Sequence, residues 1–251
     1  MGNRPMGSRM RFLAVAALLL STLLPASASD SIPAQQPPAP GPFLADLYKA
    51  TVVIYRDDSG TLTPSCTATA IMKVDGGYFF MTASHCVEPG TDYYVSSDEL
   101  PKVLWLVRAI DKGNIAKGND YAVLMVPTTQ VFPVVDLGAD PVNLLGEPVV
   151  SVTAPLGMGK QVLRGSIANP YVQRSIPVRV NGKVLGNWRG AMLLQMPGIN
   201  PASSGSALAC ANQRAVCGII VGAIATPLGQ EGVALPISGL LQELKSHLPK
   251  K

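Results

Sequence analysis

Charge is scarce in this sequence. Only 14% of its 251 residues are charged, against 47% hydrophobic, which excludes a disordered chain and a charged coiled coil. Cysteine is limited to four residues with no Cys-x-x-Cys pair, so the spacing of a structural zinc site is missing. Histidine occurs twice, at His85 and His247, which leaves few places for imidazole chemistry. No apolar run approaches the roughly 20 residues that a membrane-spanning helix needs. A basic surface is also lacking. Setting aside Arg4, Arg9 and Arg11, which lie in an N-terminal leader, 17 basic residues of the 20 remain against 16 acidic ones, a net of +1. Binding of nucleic acid or an anionic membrane through bulk charge is therefore not expected.

What the chain does have is turns: 24 Gly and 22 Pro, interspersed with Val and Thr. That composition favours short strands and an all-β fold. Residues 1 to 28 read as a secretory signal peptide. Three Arg precede the 13-residue apolar run Phe12 to Leu24, and Ala26-Ser27-Ala28 offers a small-residue cleavage site. An uncleaved anchor is the competing reading, but the run is too short to cross a bilayer. Residues 29 to 42 hold Pro33, Pro37, Pro38, Pro40 and Pro42 and read as an extended spacer. The folded unit is expected from about residue 43 to the end, in a secreted or periplasmic protein.

Strand-like segments fall into two sets. The first comprises Thr51 to Arg56, Cys66 to Lys73, Tyr78 to Ala83, Asp92 to Ser96, Lys102 to Arg108 and Tyr121 to Val126. A polar passage from Pro127 to Glu147 separates it from the second: Pro148 to Thr153, Gln161 to Ile167, Ile176 to Val184, Ala191 to Met196, Ser206 to Ala211, Ala215 to Val221 and Gly232 to Leu235. The pattern predicts two tandem antiparallel β-barrels, about 43–127 and 147–237. A C-terminal helix follows over 238–248, with Ser238 as N-cap and Leu240, Leu241, Leu244 and Leu248 on one face. Asp75-Gly76-Gly77 and Asn181-Gly182 mark hairpin turns.

Three places carry chemistry. His85 closes the apolar strand Tyr78 to Ser84 and adjoins Cys86, whereas His247 sits at the end of the terminal helix, a solvated position. Asp120 abuts the apolar strand Tyr121 to Val126 and needs a partner to offset the desolvation of its charge. The loop Gly198 to Ser206 is built of small residues, and a Ser followed by Gly in such a loop exposes its Oγ while nearby N–H groups converge, as an oxyanion site requires. Gly157-Met158-Gly159-Lys160 lacks the spacing and the following helix of a phosphate loop.

Taken together, these segments resemble a known family. Thr82-Ala83-Ser84-His85-Cys86 resembles the Thr-Ala-Ala-His-Cys signature of trypsin-like serine peptidases, and Asp120-Tyr121-Ala122-Val123-Leu124 resembles their Asp-Ile-Ala-Leu-Leu. Ile199-Asn200-Pro201-Ala202-Ser203-Ser204-Gly205-Ser206-Ala207-Leu208 is similar to the Ile-Asn-Pro-Gly-Asn-Ser-Gly-Gly-Pro-Leu of the HtrA-type branch. Val152 to Gly157 and Gly232 to Ser238 are similar to that branch's Gly-Asn-Pro-Phe-Gly and Gly-Phe-Ala-Ile-Pro segments.

The resemblance implies two six-stranded barrels and a His85–Asp120–Ser204 triad in the order of the chymotrypsin type. It also implies an oxyanion hole made by the N–H groups of Ala202 and Ser204, and no metal or organic cofactor. The substrate would be a protein or peptide. Register with the family places the primary pocket at Val221, Gly222 and Ala223, with Gly198 at its base. No acid lies there, so a small or medium apolar side chain is expected rather than Lys or Arg. The family bridge beside the catalytic His implies Cys66–Cys86; the spacing of the other two cysteines points to Cys210–Cys217, with zinc the disfavoured alternative.

Two departures stand out. Ala202 replaces the family Gly, so its Cβ is expected to oppose the backbone turn that aims its N–H, which keeps open a non-catalytic peptide-binding relative. Ser203 replaces the Asp that pairs with a freed N-terminus in trypsin, so activation by N-terminal cleavage is not expected. The PDZ module that usually follows the protease domain in the HtrA branch is likewise not expected, and nothing in the sequence fixes an oligomeric state.

Overall fold

The computed structural model describes residues 41 to 247 except 99, 139–144, 156–157, 181–182 and 228. The leader, most of the spacer and the Asn181-Gly182 turn lie outside the described residues, as does the side chain of His247.

Six strands form the first closed barrel: β1 (Thr51–Asp58), β2 (Thr61–Val74), β3 (Gly77–Thr82), β4 (Tyr93–Ser97), β5 (Leu100–Lys112) and β6 (Ala122–Pro127). Around it they run β1-β2-β3-β6-β5-β4, with every described pairing antiparallel. The second barrel uses β7 (Pro148–Thr153), β8 (Gln161–Asn169), β11 (Met192–Gln195), β12 (Ala207–Cys210), β13 (Ala215–Thr226) and β14 (Gly229–Pro236). Counted in their own order, these strands repeat the winding of the first barrel, although no repeat is visible in the sequence. Closure removes the open edges that short strands would otherwise expose.

The interval Ile176 to Val184, expected as one barrel strand, is instead part of a ribbon. β9 (Ile176–Val180) pairs antiparallel with β10 (Lys183–Trp188), and the two form a separate two-stranded sheet. The alternation that marks a strand does not say which sheet it joins. The ribbon presses on the turn Ile115–Lys117, which precedes Asp120: a Cβ on Gly186 would run into the Ile115 carbonyl.

Helix α1 (Pro42–Ala50) begins where the spacer was expected to end. Pro42 occupies the first turn, where its missing N–H costs nothing, and Leu44, Leu47 and Ala50 are buried. Lys160 ties the helix down, donating to the Tyr48 carbonyl at 2.8 Å with its ammonium 4.7 Å from the Tyr48 ring centroid. Between the barrels, Val135 N–H donates to Ala70 O of β2, and Gly138 N–H donates to Val216 O of β13, so the connector is stitched to both. Helix α2 (Ser238–His247) buries Leu240 and Leu244. Among the described residues no helix is long and apolar enough to cross a membrane.

Candidate active site

β3 is buried on both faces almost throughout, which is why Tyr78 to Met81 read as an unbroken apolar run. It ends in one 3₁₀ turn, Ser84–Cys86. Two anchors hold that turn: Ser84 Oγ donates to Gly113 O at 2.8 Å, and Cys86 is joined to Cys66 of β2 in a disulfide. His85 stands between them. A second disulfide joins Cys210 to Cys217 across β12 and β13. Two disulfides fit an oxidising compartment.

Asp120 is fully buried and accepts three hydrogen bonds. The His85 backbone N–H reaches Oδ1 at 2.9 Å, His85 Nδ1 lies 2.8 Å from Oδ2, and the Trp188 indole N–H donates to the same Oδ2 at 2.8 Å. Burial alone would raise its carboxyl pKa. The hydrogen bond and charge of His85, then the indole and the backbone N–H, outweigh that and hold the group below the usual carboxylate value. An ionised carboxylate can only accept, so Nδ1 carries a proton toward Oδ2, and in the neutral imidazole Nε2 is the acceptor.

Ser204 arrives from the second barrel. Asn200 to Ser203 form a turn in which Ser203 N–H donates to Asn200 O at 3.0 Å and Ala202 has φ +72°. Pro201 fixes a negative φ at the preceding position, so this is a type II turn. Glycine is the residue that adopts such a φ freely; Ala202 adopts it at roughly 1–2 kcal/mol. The Cβ thus raises the energy of this backbone without abolishing it. Among the described residues, neither the Ala202 nor the Ser204 N–H donates to a protein acceptor. Ser203 is buried, its Oγ donating to Asn200 Oδ1 at 3.3 Å within the same loop. Gly205, at φ +87°, takes the chain past the first barrel so closely that a Cβ there would strike Thr82 Oγ1 and the Thr67 carbonyl.

Thr67 locks this loop to the first barrel. Its N–H donates to Ser204 O at 2.9 Å, its hydroxyl donates to Ala202 O at 2.8 Å, and the hydroxyl oxygen accepts the Ala154 N–H at 3.0 Å. Thr67→Val keeps the shape but strands two buried backbone groups. It is expected to lower stability by about 3 kcal/mol in denaturant unfolding, with Thr67→Ser recovering most of the loss.

His85 and Ser204 line one cavity of about 830 Å³, together with Val221, Gly222, Ala223 and Trp188. Ser204 Oγ donates its hydrogen bond to the Val221 carbonyl, at 3.3 Å. Gly198 is not among the cavity-lining residues. Ile199 is, and its side chain fills the space above Gly232, where a Cβ would collide with Ile199 Cδ1. Cys66, His85 and Cys86 bring metal-ligand atom types within 4.8 Å of one another, but both sulfurs are bound in the disulfide. Thr67 and Trp188 had no signal in the sequence.

Comparison with known proteins agrees with this fold. The trypsin-like peptidase domain matches residues 66–219. The Rv3671c protease of M. tuberculosis, in its active form, is 20% identical with a TM-score of 0.66, covering 92% of this chain and 96% of that one. The HtrA-type protease AlgW, solved with a tripeptide, is 20% identical with a TM-score of 0.60, covering 81% and 62%. The serine endoprotease from Yersinia pestis is 20% identical with a TM-score of 0.59, covering 82% and 66%. No curated protein sequence matches the chain. Two equally wound barrels, a histidine and a serine facing one cleft, and a family match over well over half of the sequence lead to one assignment: the chain belongs to the trypsin-like peptidase domain family and is a serine endopeptidase.

Proposed function

We propose that the protein cleaves peptide bonds through an acyl-enzyme on Ser204, with His85 as general base and acid and Asp120 as its orienting carboxylate. The observation that carries this reading is the 2.8 Å contact of His85 Nδ1 with the buried Asp120 carboxylate, on a histidine that lines the cavity shared with Ser204; in the neutral imidazole so held, Nε2 is the acceptor. Rotation of Ser204 about χ1 exchanges its long bond to Val221 O for one to Nε2, a change between staggered wells. As Oγ bonds the substrate carbonyl carbon, its proton passes to Nε2. The carbonyl oxygen becomes an oxyanion held by the N–H groups of Ala202 and Ser204. Collapse breaks the C–N bond, and Nε2 returns the proton to the leaving amine. Water then repeats the sequence on the acyl-enzyme and frees Ser204.

The substrate is a protein or peptide whose residue before the cut is small or medium and apolar. Val221, Gly222 and Ala223 are the proposed walls of the primary pocket and carry no acid; Ile199 also lines the cavity, and the acid on that lining is Glu88. A series of otherwise identical peptides with Ala, Val, Leu, Phe, Lys and Arg before the scissile bond tests this by kcat/KM. Ala, Val or Leu should lead Lys and Arg by at least about tenfold; a lead for Lys or Arg contradicts the pocket assignment. Export of the chain through residues 1–28, with 29–42 as a spacer, belongs to the same proposal and is supported by the two disulfides.

A further inference from the structure

Asp120 has one partner that neither barrel supplies. Trp188 ends β10 of the separate ribbon, is buried, and donates its indole N–H to Asp120 Oδ2, the same oxygen that holds His85 Nδ1. The other face of its role is steric. A Cβ built on Gly222 would lie 2.9 Å from Trp188 Cη2, so the six-membered ring lies directly against the wall of the proposed substrate pocket. The same side chain lines the cavity with His85 and Ser204. The ribbon is itself braced on the Ile115–Lys117 turn: Gly118 has Asn187 O and Arg189 Cγ each 3.3 Å from where a Cβ would stand. One rigid aromatic plate thus spans the carboxylate and the pocket wall.

Resting on the proposed roles of His85 and Asp120, we infer that Trp188 has two separable duties: a positioning residue for Asp120 through its N–H, and a specificity determinant through its ring. The first duty follows from charge. A donor on Oδ2 draws electron density from the oxygen that faces the imidazole and fixes the plane of the carboxylate. Without it, the carboxylate holds the protonated imidazole more tightly, so the acid limb of kcat/KM moves to higher pH. The second duty follows from volume. Removing the ring opens space beside Gly222, and larger side chains enter.

Two variants and one spectrum test this. Trp188→Phe keeps a ring and deletes the donor; it should raise the acid-limb midpoint by up to about one pH unit and lower kcat several-fold, with the order of substrate preference unchanged. Trp188→Ala should show the same pH shift and, in addition, raise kcat/KM for Phe relative to Val before the cut by about tenfold. In the wild-type protein, where folding is not in question, the Trp188 indole ¹H–¹⁵N resonance should titrate with the midpoint of the acid limb while that of Trp105 stays fixed. Unmoved acid limbs in both variants, or an indole resonance that does not follow the limb, overturn the positioning role. An unchanged Phe-to-Val ratio in Trp188→Ala overturns the specificity role. Hydrolysis that survives at the wild-type rate in Ser204→Ala would instead overturn the underlying mechanism, so the two failures are distinct.

Discussion

Ser204→Ala and His85→Ala should each lower kcat by about 10⁶ while leaving the folded state intact. Each removal is that severe because the groups act as one unit. Without the hydroxyl there is no atom to acylate, and without Nε2 there is no acceptor for the Oγ proton. The double variant should therefore be no slower than either single one, an absence of additivity that two unrelated structural defects would not show. Neither side chain is a packing element. Both are part-exposed in the cleft, and the hydrogen bond from Ser204 Oγ to Val221 O is long at 3.3 Å. Thermal unfolding of Ser204→Ala should accordingly stay within about 1 kcal/mol of wild type, so that lost turnover is not lost structure.

Asp120→Asn should cost about 10⁴ in kcat, and the reason lies in donor counting. Both carboxylate oxygens are already filled by donors: Oδ1 by the His85 backbone N–H, Oδ2 by His85 Nδ1 and the Trp188 indole. An amide has one accepting oxygen and one donating NH₂. If the NH₂ takes the Oδ2 position, it meets two donors, and the imidazole must surrender its Nδ1 proton and protonate at Nε2, where the Ser204 proton is meant to go. If it takes the Oδ1 position, it opposes a backbone N–H that cannot change sign. The Trp188 indole cannot change sign either, so each arrangement leaves one fixed donor opposed; the first also disables Nε2, and in the second the neutral amide no longer offsets the charge of the imidazolium. The variant should stay folded and regain part of its rate at high pH, where a hydroxyl proton is more easily lost. A rate within tenfold of wild type would show that Asp120 is only a structural acid.

Some of this site was legible in the sequence because local pattern carries it. Strand burial and an adjoining cysteine drew notice to His85, the strand it abuts to Asp120, and a tight small-residue loop to Ser204, while their joint role came from the family resemblance of the three segments. The two-barrel division was legible from strand spacing. What could not be read is contact between distant segments. The indole of Trp188 meets Asp120 across 68 positions, and the Thr67 hydroxyl meets Ala202 across 135. Nothing in a strand end or a lone Thr announces either bond. The same limit explains the ribbon β9–β10: its residues alternate as a barrel strand would, and only the fold decides that they pair with each other. The short helix α1 was hidden by the Pro-rich stretch before it, since three buried residues spaced three apart are a weak signal. The resting position of Ser204 Oγ is a side-chain rotamer, a quantity with no imprint on residue order.

The central claim is that Ser204 is an activated nucleophile. Incubation of the wild-type protein with a fluorophosphonate probe, followed by mass mapping of the adduct, tests it without a known substrate. Stoichiometric labelling on the peptide containing Ser204, lost in Ser204→Ala and strongly slowed in His85→Ala, is the predicted result. A folded wild-type protein that takes up no probe, or takes it up on another residue, would contradict it.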